Sequence, residues 1–153
     1  MEEVSKVIVF ELKDEKYGVD IQQVRSIERL QNVTEVPRTA AFIKGVINLR
    51  GDITPIIDLK ERLQIGETEY TDETRILIIN IDTIQVGLIV DSATDVVDID
   101  SSIIDPPPRI IGGVTDDFLR GVAKLEDKLL ILLDMERVLT LEEINEVQEV
   151  IED

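Results

Sequence analysis

The feature that most constrains the fold of this chain is an internal repeat. Segments with matching spacings of apolar and glycine residues occur twice, as 9–27 and 78–96 at an offset of 69 residues, and as 42–63 and 118–139 at an offset of 76. A unit of about 70 residues supports only a marginal core when it folds alone. The two copies are therefore expected to pack against each other through apolar faces.

The composition of the chain favours strands over helices. The 153 residues include 23 Ile, 17 Val and 15 Leu but only 4 Ala, and β-branched residues prefer strands whereas Ala prefers helices. Alternating or continuous apolar runs bounded by turn residues predict strands at 7–12, 17–21, 53–57, 76–81, 86–90 and 129–133. Each copy supplies four or five short strands, which is enough for one small barrel.

We expect one domain over residues 1–140, with one lobe of about 5–71 and another of about 72–139. Whether terminal strands are exchanged between the lobes is open at this point. A helix is predicted only in the acidic segment 141–153, because Thr140 and Glu143 fit a capping box and Leu141, Ile144, Val147 and Ile151 share one helical face. This tail lies outside the repeat, so we expect it to be dispensable for folding.

The residue types that are absent exclude several classes of function. The chain has no Cys and no His, and its net charge is −17, so thiolate or imidazole metal sites and Ser-His catalysis are excluded. Repulsion disfavours nucleic acid and anionic membranes as partners. We predict no catalytic residues, no cofactor and no metal, since Asp95, Asp98 and Asp100 lack the spacing of a cation-binding loop. The acidic start predicts no signal peptide and a cytoplasmic protein.

The repeat also separates positions that serve the shared fold from candidates for function. The copies agree at Gly18 with Gly87, at Gly45 with Gly121 and at Asp58 with Asp134. They differ at one turn, where the first copy has Asn48-Leu49-Arg50-Gly51 and the second has Lys124-Leu125-Glu126-Asp127. Two interpretations of Arg50 remain open, partner binding and an ordinary surface salt bridge with Asp52 or Glu28.

Several motifs, in order along residues 5–139, resemble the CheW family of bacterial chemotaxis adaptors. They comprise Glu15 to Ile21, Phe42 to Gly51 with the Asn-Leu-Arg-Gly stretch, Pro55 to Leu59, Val86 to Asp91, and Leu130 to Asp134. The resemblance implies an all-β fold of two small five-stranded SH3- or OB-like barrels around a common core. It also implies a non-enzymatic scaffold.

The partners implied by this resemblance are the cytoplasmic tip of methyl-accepting chemoreceptors and the regulatory domain of the CheA histidine kinase. The resemblance implies receptor binding by Val24, Ile27, Arg50, Gly87 and Val96. We add Ser26, Glu28 and Gly51 to this predicted receptor site, whereas the kinase-binding residues are unassigned. The adaptor is expected at membrane-associated receptor clusters without inserting into the membrane. An alternative is a CheW-like input module for another two-component kinase.

One departure from the family pattern concerns the partner of Arg50. The family often has Glu in a Val-x-Glu-Ile motif, where this chain has Val24-Arg25-Ser26-Ile27. Glu28 lies two residues after Ser26 and therefore on the same face of a continuous strand. We hypothesise that Glu28 takes the place of the missing Glu.

Overall fold

The computed structural model describes residues 4–36, 41–81, 83–106, 108–111, 114–115, 118–126, 128–140, 143, 145–147 and 149. These residues contain a one-turn helix, α1 (Leu59–Arg62), and the following strands: β1 (Val4–Leu12), β2 (Glu15–Asp20), β3 (Val24–Arg29), β4 (Ile43–Leu49), β5 (Asp52–Asp58), β6 (Arg75–Ile81), β7 (Ile84–Val90), β8 (Ser92–Asp100), β9 (Ile104–Asp105), β10 (Ile110–Ile111), β11 (Val114–Thr115), β12 (Leu119–Lys124) and β13 (Leu129–Leu133).

The fold is all-β, as the composition predicts. The six predicted strands are confirmed as β1, β2, β5, β6, β7 and β13. The sequence did not single out β3, β4, β8 and β12, which flank these strands in the sheets and carry more exposed residues. The prediction that helix is confined to the C-terminal segment is wrong, because the Asp58 carboxylate accepts a hydrogen bond from the Lys60 N–H and caps α1.

The two sheets each combine strands from both copies of the repeat. One sheet has the order β8-β1-β2-β13-β12-β9, and the other has the order β3-β6-β7-β5-β4. The alignment of the copies makes β1 to β5 equivalent to β6, β7, β8, β12 and β13, so both sheets have the same arrangement of equivalent strands. The hairpins β1–β2 and β6–β7 are thus exchanged, and the copies at 5–71 and 72–139 do not coincide with the sheets.

Each sheet has an outer strand, β8 in one and β3 in the other. The chain that follows this strand pairs with a strand at the opposite edge and closes the sheet into a barrel. After β8, the short strand β9 pairs with β12. After β3, the N–H and carbonyl of Thr34 exchange hydrogen bonds of 2.9 Å with Val46 in β4. We call the sheet that contains β1 barrel one and the sheet that contains β6 barrel two. A Cβ atom on Gly45 or Gly121 would collide with the closing chain, so these equivalent glycines permit closure.

Apolar side chains form a separate core in each barrel and a third core between the barrels. Along β1, Val7 and Val9 lie in the core of barrel one, whereas Ile8 and Phe10 lie in the common core. The equivalent strand β6 alternates in the same way between the core of barrel two and the common core. Both faces of these strands are buried, which explains their continuous apolar sequences.

Burial raises the pKa of Tyr17, also in the common core, to about 12.

Arg62 joins the two barrels at one end of the common core. Its guanidinium carbon lies 5.5 Å from the ring centre of Phe42 and 4.9 Å from that of Phe118, which are equivalent residues of the two copies. The side chain of Arg62 is 10% exposed and is ion-paired with Glu143 at 2.8 Å. A buried guanidinium between two aromatic rings therefore depends on the C-terminal segment for its counter-charge.

The C-terminal segment begins with the predicted capping box. The Thr140 N–H donates to Glu143 Oε1 at 2.7 Å, and the Glu143 N–H donates to Thr140 Oγ1 at 3.2 Å. Residues 143, 145–147 and 149 are helical, and Val147 is fully buried in the common core. The other predicted apolar positions, Leu141, Ile144 and Ile151, lie outside the described residues. The division between a domain of 1–140 and a tail of 141–153 remains a prediction.

The buried position of Val147 reverses the expectation that the tail is dispensable. Ending the chain at Thr140 removes Val147 from the common core and leaves Arg62 without its carboxylate. An uncompensated buried charge costs about 3–5 kcal/mol, so we expect calorimetry to show a melting temperature lower by about 10 °C or more. Glu149→Gln, at an exposed position, is the control and melts like the wild type. A truncated chain with wild-type stability contradicts this prediction.

Gly18 and Gly87 are expected to be structural in the same way. A Cβ atom on Gly18 would lie 2.6 Å from Val7 Cγ1, and one on Gly87 would lie 2.6 Å from Ile56 Cδ1 and 2.7 Å from Ile76 Cγ2. Alanine at either site overpacks a barrel core, so we expect a loss of about 1–3 kcal/mol in denaturant unfolding, and a larger loss with valine. Exposed Asn80 on β6 supplies the control, Asn80→Ala. Equal stability of both glycine variants and the wild type contradicts the structural role.

Candidate functional site

The predicted apolar contact residues Ile27 and Val96 lie at the solvent edge of the common core. Ile27 in β3 pairs with Leu77, and Val96 in β8 pairs with Ile8. Directly paired residues share a face of the sheet, and both partners belong to the common core. Ile27 is nevertheless 43% exposed and Val96 48% exposed. Two equivalent residues, one on each barrel, thus extend the common core to the surface.

Val24 lies on the same side as Ile27, but more deeply. It pairs with Ile79 and packs, partly buried, against the common core. The register of β3 shifts between Val24 and Ser26, so one extra residue, Arg25, lies in a bulge. We call Val24, Ile27 and Val96 together the interbarrel edge.

Ser26 and Glu28 lie on the opposite face of β3 from Ile27. They pair with Ile78 and Ile76, which belong to the core of barrel two. The expectation that Ser26 and Glu28 share a strand face is therefore confirmed. The site predicted from the sequence is divided between two faces of one strand.

Arg50 reaches Glu28 from the turn that joins β4 and β5. Arg50 and Gly51 occupy this two-residue turn with φ values of 51° and 91°, which is the conformation of a hairpin turn with both central residues left-handed. The Gly51 N–H donates to Asn48 Oδ1 at 2.8 Å. Arg50 Nη2 lies 3.3 Å from Glu28 Oε2, and the Arg50 side chain is 72% exposed. The turn thus fixes the backbone of Arg50, while the guanidinium group of its side chain remains accessible to solvent.

Gly87 is buried inside barrel two rather than at the surface. The nearest atoms to a Cβ at this position belong to Ile56, Ile76 and Ile78, which are all core residues of barrel two. Gly87 pairs with Ile56 through the parallel ladder between β5 and β7. The structure therefore separates it from the exposed residues Ile27, Arg50 and Val96.

The three aspartates that were weighed as metal ligands each have another role. Asp98 Oδ1 lies 3.2 Å from Lys6 Nζ, Asp95 accepts from the Val96 N–H, and Asp100 caps a 3-10 turn by accepting from the Ser102 N–H. Among the described residues, no group of three or more Asp or Glu side chains is placed to hold a metal ion.

Two arginines that do not belong to the predicted receptor site lie on the same sheet face as Ile27. Arg29 at the end of β3 pairs directly with Arg75 at the start of β6. Both residues continue the face that carries Ile27 and Leu77. The alignment of the copies contained the signal, because the equivalent residues are Asp98 and Lys6, which have opposite charges.

Comparisons with known proteins agree with this architecture. A family model described as the CheW-like domain matches residues 6–143. The chain is 45% identical over 134 residues to the chemotaxis protein CheW of Bacillus subtilis (strain 168), covering 88% of this chain and 86% of that protein. It is 37% identical to the chemotaxis protein CheW of Klebsiella aerogenes, covering 89% of this chain and 82% of that protein.

A solved structure is similar over nearly the whole chain. The crystal structure of the scaffolding protein TtCheW from Thermoanaerobacter tengcongensis superposes with a TM-score of 0.84 at 38% identity, covering 92% of this chain and 91% of that one. No helix in the described part of the chain is long and apolar enough to cross a membrane. With the two exchanged barrels and the Asn-Leu-Arg-Gly turn in place, the chain belongs to the CheW family of chemotaxis scaffold proteins.

Proposed function

We propose that this protein is a non-enzymatic adaptor that couples methyl-accepting chemoreceptors to the CheA histidine kinase by binding both in one complex. The complex forms in the cytoplasm, at receptor clusters on the membrane, and needs no cofactor. The observation that carries the proposal is the exposure of Ile27 and Val96, equivalent residues of two barrels that share one core. Apolar side chains in this position suit the apolar face of a partner helix.

The receptor side of the complex uses the interbarrel edge and the β4–β5 turn. A helix from the receptor tip packs its apolar stripe on Ile27 and Val96. Arg50, whose side chain is 72% exposed, offers a planar group with five N–H donors to carboxylates and carbonyls of the same helix hairpin. Glu28 positions this group at a distance of 3.3 Å. Ser26, Gly51 and Gly87 support the surface through β3, the turn and β7 rather than by exposed side chains.

The kinase side of the complex uses an end of a barrel and leaves the interbarrel edge free. Because one scaffold holds both partners, bound kinase changes the affinity for receptor, and bound receptor changes the affinity for kinase by the same factor. The rigid common core suits this role, since packed interiors transmit displacements rather than absorb them.

The assembly itself is testable with purified components. We expect the full chain to bring a CheA kinase and a chemoreceptor cytoplasmic fragment into one complex in a pull-down, and to make kinase phosphorylation depend on the fragment. We do not expect fragment-dependent phosphorylation when the full chain is mixed with the kinase alone or with the receptor fragment alone. Binding to neither partner contradicts the proposal, and kinase binding with no effect of any receptor fragment favours an input module of another two-component system.

Arg50→Glu is expected to impair partner binding rather than stability. The Arg50 side chain is 72% exposed in its contact with Glu28, which is 16% exposed, and a pair open to solvent on one side contributes about 1 kcal/mol or less, so the variant melts within about 3 °C of the wild type. A desolvated carboxylate that loses its partner costs about 2–5 kcal/mol. We therefore expect titration calorimetry to show receptor-fragment affinity lower by roughly 30-fold or more, with smaller effects on kinase binding. Arg50→Lys is intermediate, because it keeps the charge without the planar fork.

The matched control for this variant lies at the equivalent turn of barrel one. Glu126→Arg reverses a charge at the corresponding position and leaves receptor affinity unchanged. Glu28→Gln tests the supporting contact, and we expect a smaller loss of affinity with a weaker salt dependence. Unfolding of Arg50→Glu makes Arg50 a structural residue, and wild-type affinity of a folded variant rules out its role in binding.

A further inference from the structure

Arg29 and Arg75 form a like-charged pair across two adjacent strands. They are directly opposite in the antiparallel ladder between β3 and β6, where side chains lie about 4.5–5.5 Å apart at Cβ and like charges are destabilising. Arg29 is exposed and Arg75 is half-buried. Arg75 Nη1 donates to the carbonyls of Asp72 and Thr74 at 2.8 Å each.

Neither arginine is paired with a carboxylate of the described residues. No ion pair within 4.0 Å involves Arg29 or Arg75 in that part of the chain. The nearest acidic residue along β3, Glu28, points to the other face and is held by Arg50. In a chain with a net charge of −17, two adjacent guanidinium groups without a carboxylate are unusual.

Barrel one has a complementary pair at the same position. Lys6 and Asp98 are directly opposite in the ladder between β1 and β8, and Lys6 Nζ lies 3.2 Å from Asp98 Oδ1. An offset of 69 residues relates Lys6 to Arg75 and Asp98 to Arg29. The barrel fold therefore accommodates opposite charges at this pair of positions, and the fold itself does not require the like-charged pair of barrel two.

We propose that Arg29 and Arg75 form an acceptor site for a carboxylate of the partner helix that packs on Ile27. This inference rests on the proposed function and specifies the partner's chemistry. Arg29 lies two residues from Ile27 on the same face, a separation of about 6.6 Å along the strand. Residues three or four apart on a helix are separated by about 5–6 Å. The partner helix therefore carries Asp or Glu three or four residues from the apolar side chain that contacts Ile27.

The site also gives the bound helix a direction. The flank of Ile27 carries Arg29, whereas the flank of the equivalent Val96 carries Asp98. A helix that contacts both apolar residues thus meets positive charge on barrel two and a neutralised pair on barrel one. Turning the helix end for end places its carboxylate next to Asp98, which like-charge repulsion disfavours.

The test variant is Arg29→Asp, which recreates in barrel two the charge pattern of barrel one. Because Asp at this position faces Arg75, we expect a melting temperature equal to or above that of the wild type. The probe is a chemoreceptor cytoplasmic fragment, and its affinity for this variant is expected to fall by about tenfold or more, with a smaller dependence on salt. Lys128→Glu, which makes the same change in net charge at an exposed position, leaves the affinity unchanged.

A charge exchange and a second variant complete the test. Receptor fragments in which single acidic residues flanking the apolar stripe are changed to Lys identify the partner carboxylate, and one of them regains affinity for Arg29→Asp.

Ile27→Asp tests the proposed function separately. If Ile27→Asp abolishes binding while Arg29→Asp binds like the wild type, the acceptor-site proposal is overturned and the proposed function stands. If Ile27→Asp also binds like the wild type, the interbarrel edge is not the receptor site. Binding of anionic vesicles that is lost in Arg29→Asp also overturns the helix as the occupant.

Discussion

The packing of two exchanged hairpins between the barrels is the interaction on which the rest of this structure depends. Strands β1, β6 and β7 bury side chains on both faces, one set in a barrel and the other in the common core, and β2 buries Tyr17 and Val19 in the common core. Each hairpin leaves its own copy of the repeat and completes the sheet of the other. Neither barrel therefore exists without residues from both halves of the chain, and burial of apolar surface ties them into one unit.

This arrangement leaves more exposed side chains on the outer strands than on the inner strands. Because the inner strands bury most of their side chains, β3, β4, β8 and β12 carry a larger share of exposed side chains in the described part of the chain. Ile27 and Val96 mark points where the common core reaches solvent. The polar residues around them differ between the barrels, so an almost symmetric scaffold presents two different surfaces.

The repeat separates charges that both copies share from charges that differ between the barrels. Where both copies carry the same residue, as at Asp58 and Asp134, the side chain caps a helical turn. Where the copies differ, as at the pairs Lys6–Asp98 and Arg75–Arg29, the facing charges are opposite in one barrel and alike in the other. Lys6 and Asp98 neutralise each other, whereas Arg29 and Arg75 do not. Like charges directly opposite each other in a ladder are destabilising, so the Arg29–Arg75 pair does not add to the stability of barrel two.

The sequence alone determined the repeat, the all-β class, six strands and the capping box at Thr140, because these depend on periodicity and local hydrogen bonding. It also raised Glu28 as the partner of Arg50, a contact that the structure contains, since a turn and a strand face are local features. Only the tertiary structure decided that the hairpins are exchanged, that Gly87 lies inside a barrel and that Val147 is in the common core. The direct pairing of Arg29 with Arg75 was likewise decided by the tertiary structure, since strand register sets it across 46 residues of chain, although the alignment of the copies marked both positions as differing in charge. Contacts between distant segments depend on how the two copies share one core, and no local pattern encodes that choice.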